Sequence, residues 1–398
     1  MPSGELFLRI EQHIEVKIDS VAFGGEGVGR VDNLVVFVPF SAPGDELEIE
    51  ITQRKKKFAR GKIIKIVEPS EARETPLCRY YGQCGGCCYQ HIKYESQLVL
   101  KKKQVIDAFE KIGGIAAPPV GDIVASPKMY HYRGKAQLHA ARVGGGVKIG
   151  FMDVSGGRIV DIGRCEIVEE SINGKIVDLR TDELLLACPE GEYTIWSGEP
   201  FHPAGGKERV SRLVKSKEFL APYEGFFQAN LFLIETLVDE VCRAAEKGKI
   251  NTLIDAYCGC GLFSVFLARC ADKIIGMERD AASVKCARIN AENAQAKNVE
   301  FTCGRVEKIL SEKNHVAEKI DMIVLDPPRA GCGRDVMAGI LELGPEMVVY
   351  ISCNPATAAR DVKCLHEGGY ELLSLLPLDM FPQTQHIEII AVLAQKQA

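Results

Sequence analysis

The sequence predicts an α/β protein, with a doubly wound parallel sheet in its C-terminal part behind two β-rich units. Three observations carry that expectation. The chain has 398 residues, more than one ordinary core accommodates. Short runs of period-two alternation separated by glycine turns fill residues 8–68. From about residue 226, buried strands alternate with amphipathic helices. The expected units are 1–68, 69–225 and 226–398.

The first unit reads HIEVKIDSVAF, GGEGVGR, NLVVFVPF, APGD, ELEIEITQR and GKIIKIVEP, and Pro69 ends it. Strands of this length with glycine punctuation form a small β-barrel. In length and glycine placement the segment resembles the TRAM domain, an OB-like RNA-binding barrel attached to several RNA-modifying enzymes. The formal net charge of −5 argues against nucleic acid, but its distribution does not. Arg54, Lys55, Lys56, Lys57, Arg60, Lys62 and Lys65 lie between Ile51 and Val67 with no acid among them. Local charge density sets the field that a phosphate backbone meets. A second block, Lys101-Lys102-Lys103, reads by itself as a solvated loop.

Composition is that of a soluble globular protein, with 46% apolar and 26% charged residues. No apolar run approaches the ~20 residues that span a bilayer, so no membrane attachment is expected. The start, MPSGELFLRIEQHIEVKIDS, lacks a signal peptide's apolar block, so a cytoplasmic protein is expected; a monomer is the expected state. In a reducing compartment the 15 cysteines stay free unless metal or chemistry claims them.

The second unit opens with Cys78, Cys84 and Cys87 in the spacing C-x5-C-x2-C, with Gly85-Gly86 between the last two. The glycine pair lets the backbone bend so that sulfurs converge on one inorganic centre. Zinc sites use two paired C-x2-C units, whereas here there is one. Cys165, in GRCEIVEE, is the best fourth ligand. Three close cysteines and one remote cysteine suit a [4Fe–4S] cluster. The bland reading is a turn rich in unbound thiols, and Cys88 is a bystander. A helix follows over 94–112, with Leu98, Val99, Val105, Ile106 and Phe109 along one face and Gly113-Gly114 as its stop. This helix is a candidate to pack on the C-terminal unit, and more strands follow it.

In the third unit, TLIDAYCGCGLFSVFLA from Thr252 reads strand, glycine turn, helix. Asp255 closes the strand, and Gly259 and Gly261 let the backbone approach a ligand. The next strand ends at Glu278, where an acid takes both ribose hydroxyls of NAD or of S-adenosylmethionine. Ser264 stands where a third glycine completes the nicotinamide fingerprint, which leaves a dehydrogenase a distant reading. The following strand ends in Asp326-Pro327-Pro328-Arg329. A rigid Pro-Pro beside an acid fits methyl transfer to a planar base and has no role in hydride transfer. The alternative is an ordinary helix-starting turn.

Cys353, in ISCNP, follows the apolar run MVVYI and precedes an Asn-Pro break. Carbon 5 of uracil is a poor nucleophile until a thiolate adds to carbon 6. Afterwards a base must remove the C5 proton so that the thiol can leave. A cysteine at a strand end beside Asp326 suits that chemistry.

With these residues in view, the chain resembles RNA uracil-C5 methyltransferases of the iron–sulfur, TRAM-bearing type that includes the bacterial 23S rRNA enzymes. The likeness runs nearly the whole length, through GEGVGR, C-x5-CGGC, FFQAN, DAYCGCG, DPPRAG, ISCNP and QTQHIE. It implies a Rossmann-like, S-adenosylmethionine-dependent methyltransferase domain. It implies Cys353 as nucleophile and Glu388 as proton acceptor. Gln228, Tyr257, Gly259, Glu278 and Asp326 become the cofactor site, and Cys78, Cys84, Cys87 and Cys165 the cluster ligands. Two stretches depart from the family pattern: Leu262 replaces a polar residue, and Cys303-Gly304-Arg305 occupies the stretch that meets the adenine edge. The expected partner is RNA, 23S rRNA first and tRNA second, with the target base flipped out of its stack. Two rivals stand beside this reading. RNA cytosine-C5 methylation would use Cys332 as a second cysteine, and a non-catalytic RNA-binding iron–sulfur protein would transfer no methyl group.

Overall fold

The computed structural model describes residues 8–200, 208–246, 248–311 and 319–396. Strands β1 (His13–Val21), β2 (Glu26–Val31), β3 (Leu34–Pro39), β4 (Glu46–Arg54) and β5 (Phe58–Glu68) close a barrel in the order β1-β2-β3-β5-β4. Alternate side chains, among them Val16, Ile18, Val36, Val38, Leu47, Ile49 and Ile51, fill its interior. Asp32 and Asn33 both take positive φ, as a two-residue hairpin between β2 and β3 requires.

Strand pairing changes the reading of the basic stretch. The acids of β4 face the bases of β5, with Glu50 opposite Lys62 and Glu48 opposite Lys65. Lys62 Nζ lies 2.9 Å from Glu50. Arg60 donates twice to Glu26, at 2.9 and 3.1 Å. Lys55, Lys56 and Lys57 sit exposed at the tip of the β4–β5 hairpin, which the Lys55 amide closes on the Phe58 carbonyl at 2.8 Å.

Helix α1 (Tyr94–Lys111) buries Gln97, Leu100, Lys101, Gln104, Val105 and Phe109, whereas Val99 is 70% exposed. Its inward face is therefore partly polar. Lys101 is fully buried with its Nζ 2.6 Å from Asp379, so the lysine block is part of a helix with one lysine inside rather than a solvated loop. Val105 and Phe109 join the core of the C-terminal unit.

An antiparallel sheet of β6 (Lys135–Val143), β7 (Gly146–Met152), β8 (Ile159–Asp161) and β9 (Gly191–Trp196) runs in the order β8-β7-β6-β9. Helix α2 (Glu170–Asp178) covers it, with α3 (Glu183–Ala187) following. The sequence assigns the hairpin β10 (Arg209–Val214) and β11 (Lys217–Pro222) to this central unit. Instead Val210, Val214 and Phe219 pack into the C-terminal core, so that core begins before residue 226.

The C-terminal unit continues through α4 (Ile234–Ala245), β12 (Ile250–Ala256), α5 (Leu262–Leu267), β13 (Ala271–Glu278), α6 (Ala281–Asn293), β14 (Val299–Cys303) and α7 (Val306–Ser311). It ends with β15 (Met322–Leu325), α8 (Arg334–Leu343), β16 (Met347–Ser352), α9 (Pro355–Glu367), β17 (Tyr370–Leu378) and β18 (Glu388–Gln395). The seven strands lie in the order β14-β13-β12-β15-β16-β18-β17, with β18 antiparallel to both neighbours. Chain order reverses between β12 and β15, and ligands of open α/β sheets bind beyond the strand ends at such a switch point.

Candidate active site

Four parallel strands end at that point in register. Ala256 of β12 pairs with Met277 of β13 and with Leu325 of β15, and Leu325 pairs with Tyr350 of β16. The residues that follow them, Tyr257, Glu278 and Asp326, therefore form one rim. After β12 the chain turns tightly, with Tyr257 at φ 64° and the Gly261 amide donating to the Cys258 carbonyl at 2.8 Å. Gly261 has φ 80°, and a Cβ there would press on Phe301 at 3.0 Å. Glycine thus serves both the backbone conformation and the packing. The Gly259 amide donates to Glu278 Oε2 at 3.2 Å, tying the turn to the acid.

Beneath the turn, Asp255 is fully buried and accepts from Ser264 Oγ at 2.5 Å. Burial pushes its carboxyl up to about 7, opposed by the Ser264 hydrogen bond. Gln228 reaches the rim from the segment before α4, its Nε2 3.5 Å from Asp326 Oδ2. The segment is fixed by Asn230, whose Oδ1 accepts from the amides of Phe232 and Leu233 and whose Nδ2 donates to the Met380 carbonyl at 3.0 Å.

Cys353 and Glu388 complete the rim. Ser352 and Ile389 form the last pair of the β16–β18 ladder, so the next register position sets Cys353 beside Glu388. Cys353 immediately precedes Asn354, the N-cap of α9, whose side chain accepts from the amides of Ala356 and Thr357. Pro355 starts the helix with φ already set. The Asn-Pro pair thus ends a buried strand and starts a helix at the cysteine.

The charges converge as the placement requires. Burial pushes the Cys353 thiol up to about 11, with Glu388 and Asp326 adding to the shift and Arg329 opposing it. Glu388, 4% exposed, is raised well above the usual carboxylate range by burial and then by Asp326, with Arg329 again opposing. Burial likewise raises Asp326, next to Asp255. Arg329 lies 3.2 Å from Nε2 of His386, whose burial keeps the imidazole neutral at ordinary pH, its pKa lowered to about 4. DPPR contained this arginine, yet its role at the thiol is visible only in the folded rim.

The four cysteines predicted to act together stand elsewhere, in the central unit. Cys78, Cys84, Cys87 and Cys165 line one cavity with Tyr80, Tyr81 and Arg133. Cys88 does not line it. Gly85 lies close against the Asp153 carbonyl, where a Cβ would stand 2.8 Å away. Burial raises all four thiols, and they raise one another: Cys78 acts on Cys84, Cys84 on Cys87 and Cys165, and Cys165 on Cys87. Among the described residues no group of three or more His, Cys, Asp or Glu is gathered closely enough to hold a single metal ion. A lone zinc would need four sulfurs at about 2.3 Å from one point. A cubane cluster takes one thiolate at each of four separated iron corners, which suits thiols spread around a cavity.

Known proteins share this architecture. A tRNA (uracil-5-)-methyltransferase family model matches residues 211–396, and a TRAM domain model matches 9–64. An uncharacterized RNA methyltransferase of Halalkalibacterium halodurans is 32% identical, over 96% of this chain and 97% of that protein. Another from Thermosynechococcus vestitus is 32% identical over 96% and 97%. The crystal structure of Pyrococcus abyssi tRNA (uracil-54, C5)-methyltransferase in complex with S-adenosyl-L-homocysteine superposes with a TM-score of 0.74. It is 26% identical and covers 96% of this chain and 100% of that one. The barrel is thus a TRAM domain, and the chain is an S-adenosylmethionine-dependent RNA methyltransferase that belongs to the tRNA (uracil-5-)-methyltransferase family.

Proposed function

We propose that this enzyme methylates carbon 5 of one uridine in 23S rRNA, with Cys353 as nucleophile and Glu388 as proton acceptor. The observation that carries the chemistry of this reading is the register of β16 and β18, which sets Cys353 beside Glu388 on the rim shared with Asp326. S-adenosylmethionine supplies an electrophilic methyl group and a positive sulfonium, and Gln228, Tyr257, Gly259, Glu278 and Asp326 would hold it. The Cys353 thiolate forms a bond to C6 of the flipped uracil, and the C5–C6 π pair moves onto C5 and the C4 carbonyl. Once C5 carries the methyl group, Glu388 takes the C5 proton. Those electrons restore the C5=C6 bond, and the S–C6 bond breaks to release Cys353. Arg329 favours the thiolate, since it is the positive group that opposes the rise in the Cys353 pKa.

Cytosine chemistry with a second cysteine is disfavoured by Cys332. That thiol is 4% exposed, and burial pushes it up to about 12. A tRNA substrate is the second reading, favoured by the likeness to the Pyrococcus abyssi tRNA (uracil-54, C5)-methyltransferase. Mapping 5-methyluridine in RNA from cells with and without the gene decides. Loss of one site in 23S rRNA supports the first reading, and loss in tRNA supports the second. An unchanged map overturns both.

The cysteine cavity fits a [4Fe–4S] cluster held by Cys78, Cys84, Cys87 and Cys165. Protein prepared without oxygen should carry about four iron and four sulfide per chain, and Cys87→Ala should lose them. Zinc alone, or no metal, would remove the assignment.

The TRAM hairpin tip is the proposed phosphate contact. Lys55, Lys56 and Lys57 changed together to Ala should weaken RNA binding and lower the slope of log affinity against log salt by about 2. Arg60→Ala should act mainly on the barrel, because Glu26 already holds that guanidinium. An unchanged slope in the triple variant would take the tip out of the interface.

A further inference from the structure

Residues 379–387 join β17 to β18 and deliver Glu388 to the rim. The segment is largely buried although it forms neither helix nor strand. Asp379, Met380 and Gln383 are fully buried, and Thr384 is 4% exposed. At its centre Gln383 has φ 69°, a conformation that residues with a Cβ rarely adopt. Such a residue persists where its surroundings over-determine it, and it often marks a functional constraint.

The surroundings here are two other elements. Gln97 of α1 meets Gln383 in a reciprocal pair: Gln383 N donates to Gln97 Oε1 at 3.1 Å, and Gln97 Nε2 donates to Gln383 Oε1 at 2.9 Å. The Gln383 carbonyl accepts from the amides of Cys88 and Tyr89, at 3.1 and 3.0 Å. Cys88 directly follows Cys87, which lines the cysteine cavity. Gln97 Nε2 also donates to the Tyr89 and Ile92 carbonyls, so one amide side chain grips both loops. On the N-terminal side of the bend, Lys101 holds Asp379 and the Phe381 carbonyl.

We propose that Gln97 and Gln383 form a clamp through which the cysteine-bearing loop sets the position of Glu388. Both are positioning residues, since each acts through the backbone that leads to the carboxylate. The proposal rests on the reading of Glu388 as proton acceptor. It gives the cysteine centre a task that needs no redox step: holding the loop whose amides pin the bend. A displacement of about 1 Å at a reacting group costs on the order of a hundredfold in rate.

The test is Gln97→Ala, which removes the two bonds to Gln383 and the two to the Tyr89 and Ile92 carbonyls, and leaves in place the Cys88 and Tyr89 amides on the Gln383 carbonyl and the cofactor rim. Hydrogen exchange at residues 383–388 should quicken about tenfold or more, while β12 and β15 keep their protection. Affinity for S-adenosylmethionine should stay at the wild-type value. Release of methylated RNA should slow between about tenfold and a hundredfold, with covalent protein–RNA adduct accumulating. Unchanged exchange at 383–388 overturns the clamp. Quickened exchange with wild-type release overturns its positioning role, provided Glu388→Gln accumulates adduct alongside. If Glu388→Gln accumulates none, the Glu388 assignment falls while the exchange result still decides the clamp. Cys87→Ala tests the link to the cavity: the same amides should loosen, and wild-type protection there would sever the cysteine loop from Glu388.

Discussion

Cys353→Ser should abolish methyl transfer and form no covalent complex with RNA, whereas Glu388→Gln should transfer one methyl group and then stall as an adduct. The two substitutions separate bond formation from bond release. A serine hydroxyl at this place is far harder to ionise than the thiol it replaces, so C6 is not attacked and C5 never becomes nucleophilic. A loss on the order of 10⁴–10⁶ in rate is expected, the scale of removing a covalent nucleophile. Glutamine at 388 keeps the shape of the side chain but cannot take the C5 proton, so elimination slows by about 10²–10⁴. Denaturing gels with labelled RNA and labelled methyl donor read both effects. A Glu388→Gln band should carry one methyl per bound RNA, and Cys353→Ser should show no band. Normal turnover by both variants would remove this mechanism.

Much of this rim was legible because its parts obey local rules. Apolar runs ending in Asp255, Glu278, Asp326 and Cys353 read as buried parallel strands, and the glycines of CGCG marked the turn between the first strand and its helix. What stayed hidden depends on pairings that a linear pattern does not contain. The inward face of α1 carries Gln97, Lys101 and Gln104, which a search for apolar periodicity assigns to solvent. The partners that make the burial of Gln97 and Lys101 tolerable, Gln383 and Asp379, lie nearly three hundred positions away. The basic run of β5 looks uncompensated in the sequence because its acids belong to β2 and β4 and arrive only through strand register. Arg329 stands in the sequence as part of a rigid turn, and its influence on Cys353 and Glu388 exists only where β15, β16 and β18 meet.

Iodoacetamide should alkylate Cys353 in the RNA-free enzyme at a rate that climbs about tenfold per pH unit from about pH 7 to pH 10, without levelling off. Burial, Glu388 and Asp326 hold the proton on this thiol up to about 11, so the thiolate fraction rises throughout that range. An ordinary cysteine would level off near its usual value of about 8.5. Peptide mass spectrometry can follow Cys353 separately from the exposed Cys188 and Cys303 in the same digest. Each neighbour fixes the sign of a second measurement. Arg329→Ala removes the charge that favours the thiolate and should slow alkylation at every pH below 10. Glu388→Gln removes a carboxyl that opposes the thiolate once ionised, and should speed alkylation at high pH. A plateau below about pH 9 would show that the thiol is not raised, and that Arg329 outweighs burial. The expected climb implies that the nucleophile rests protonated and shielded from adventitious electrophiles. Arrival of the uracil must then supply what burial withholds, since the enolate formed at C5 and C4 takes up the charge that the sulfur gives away.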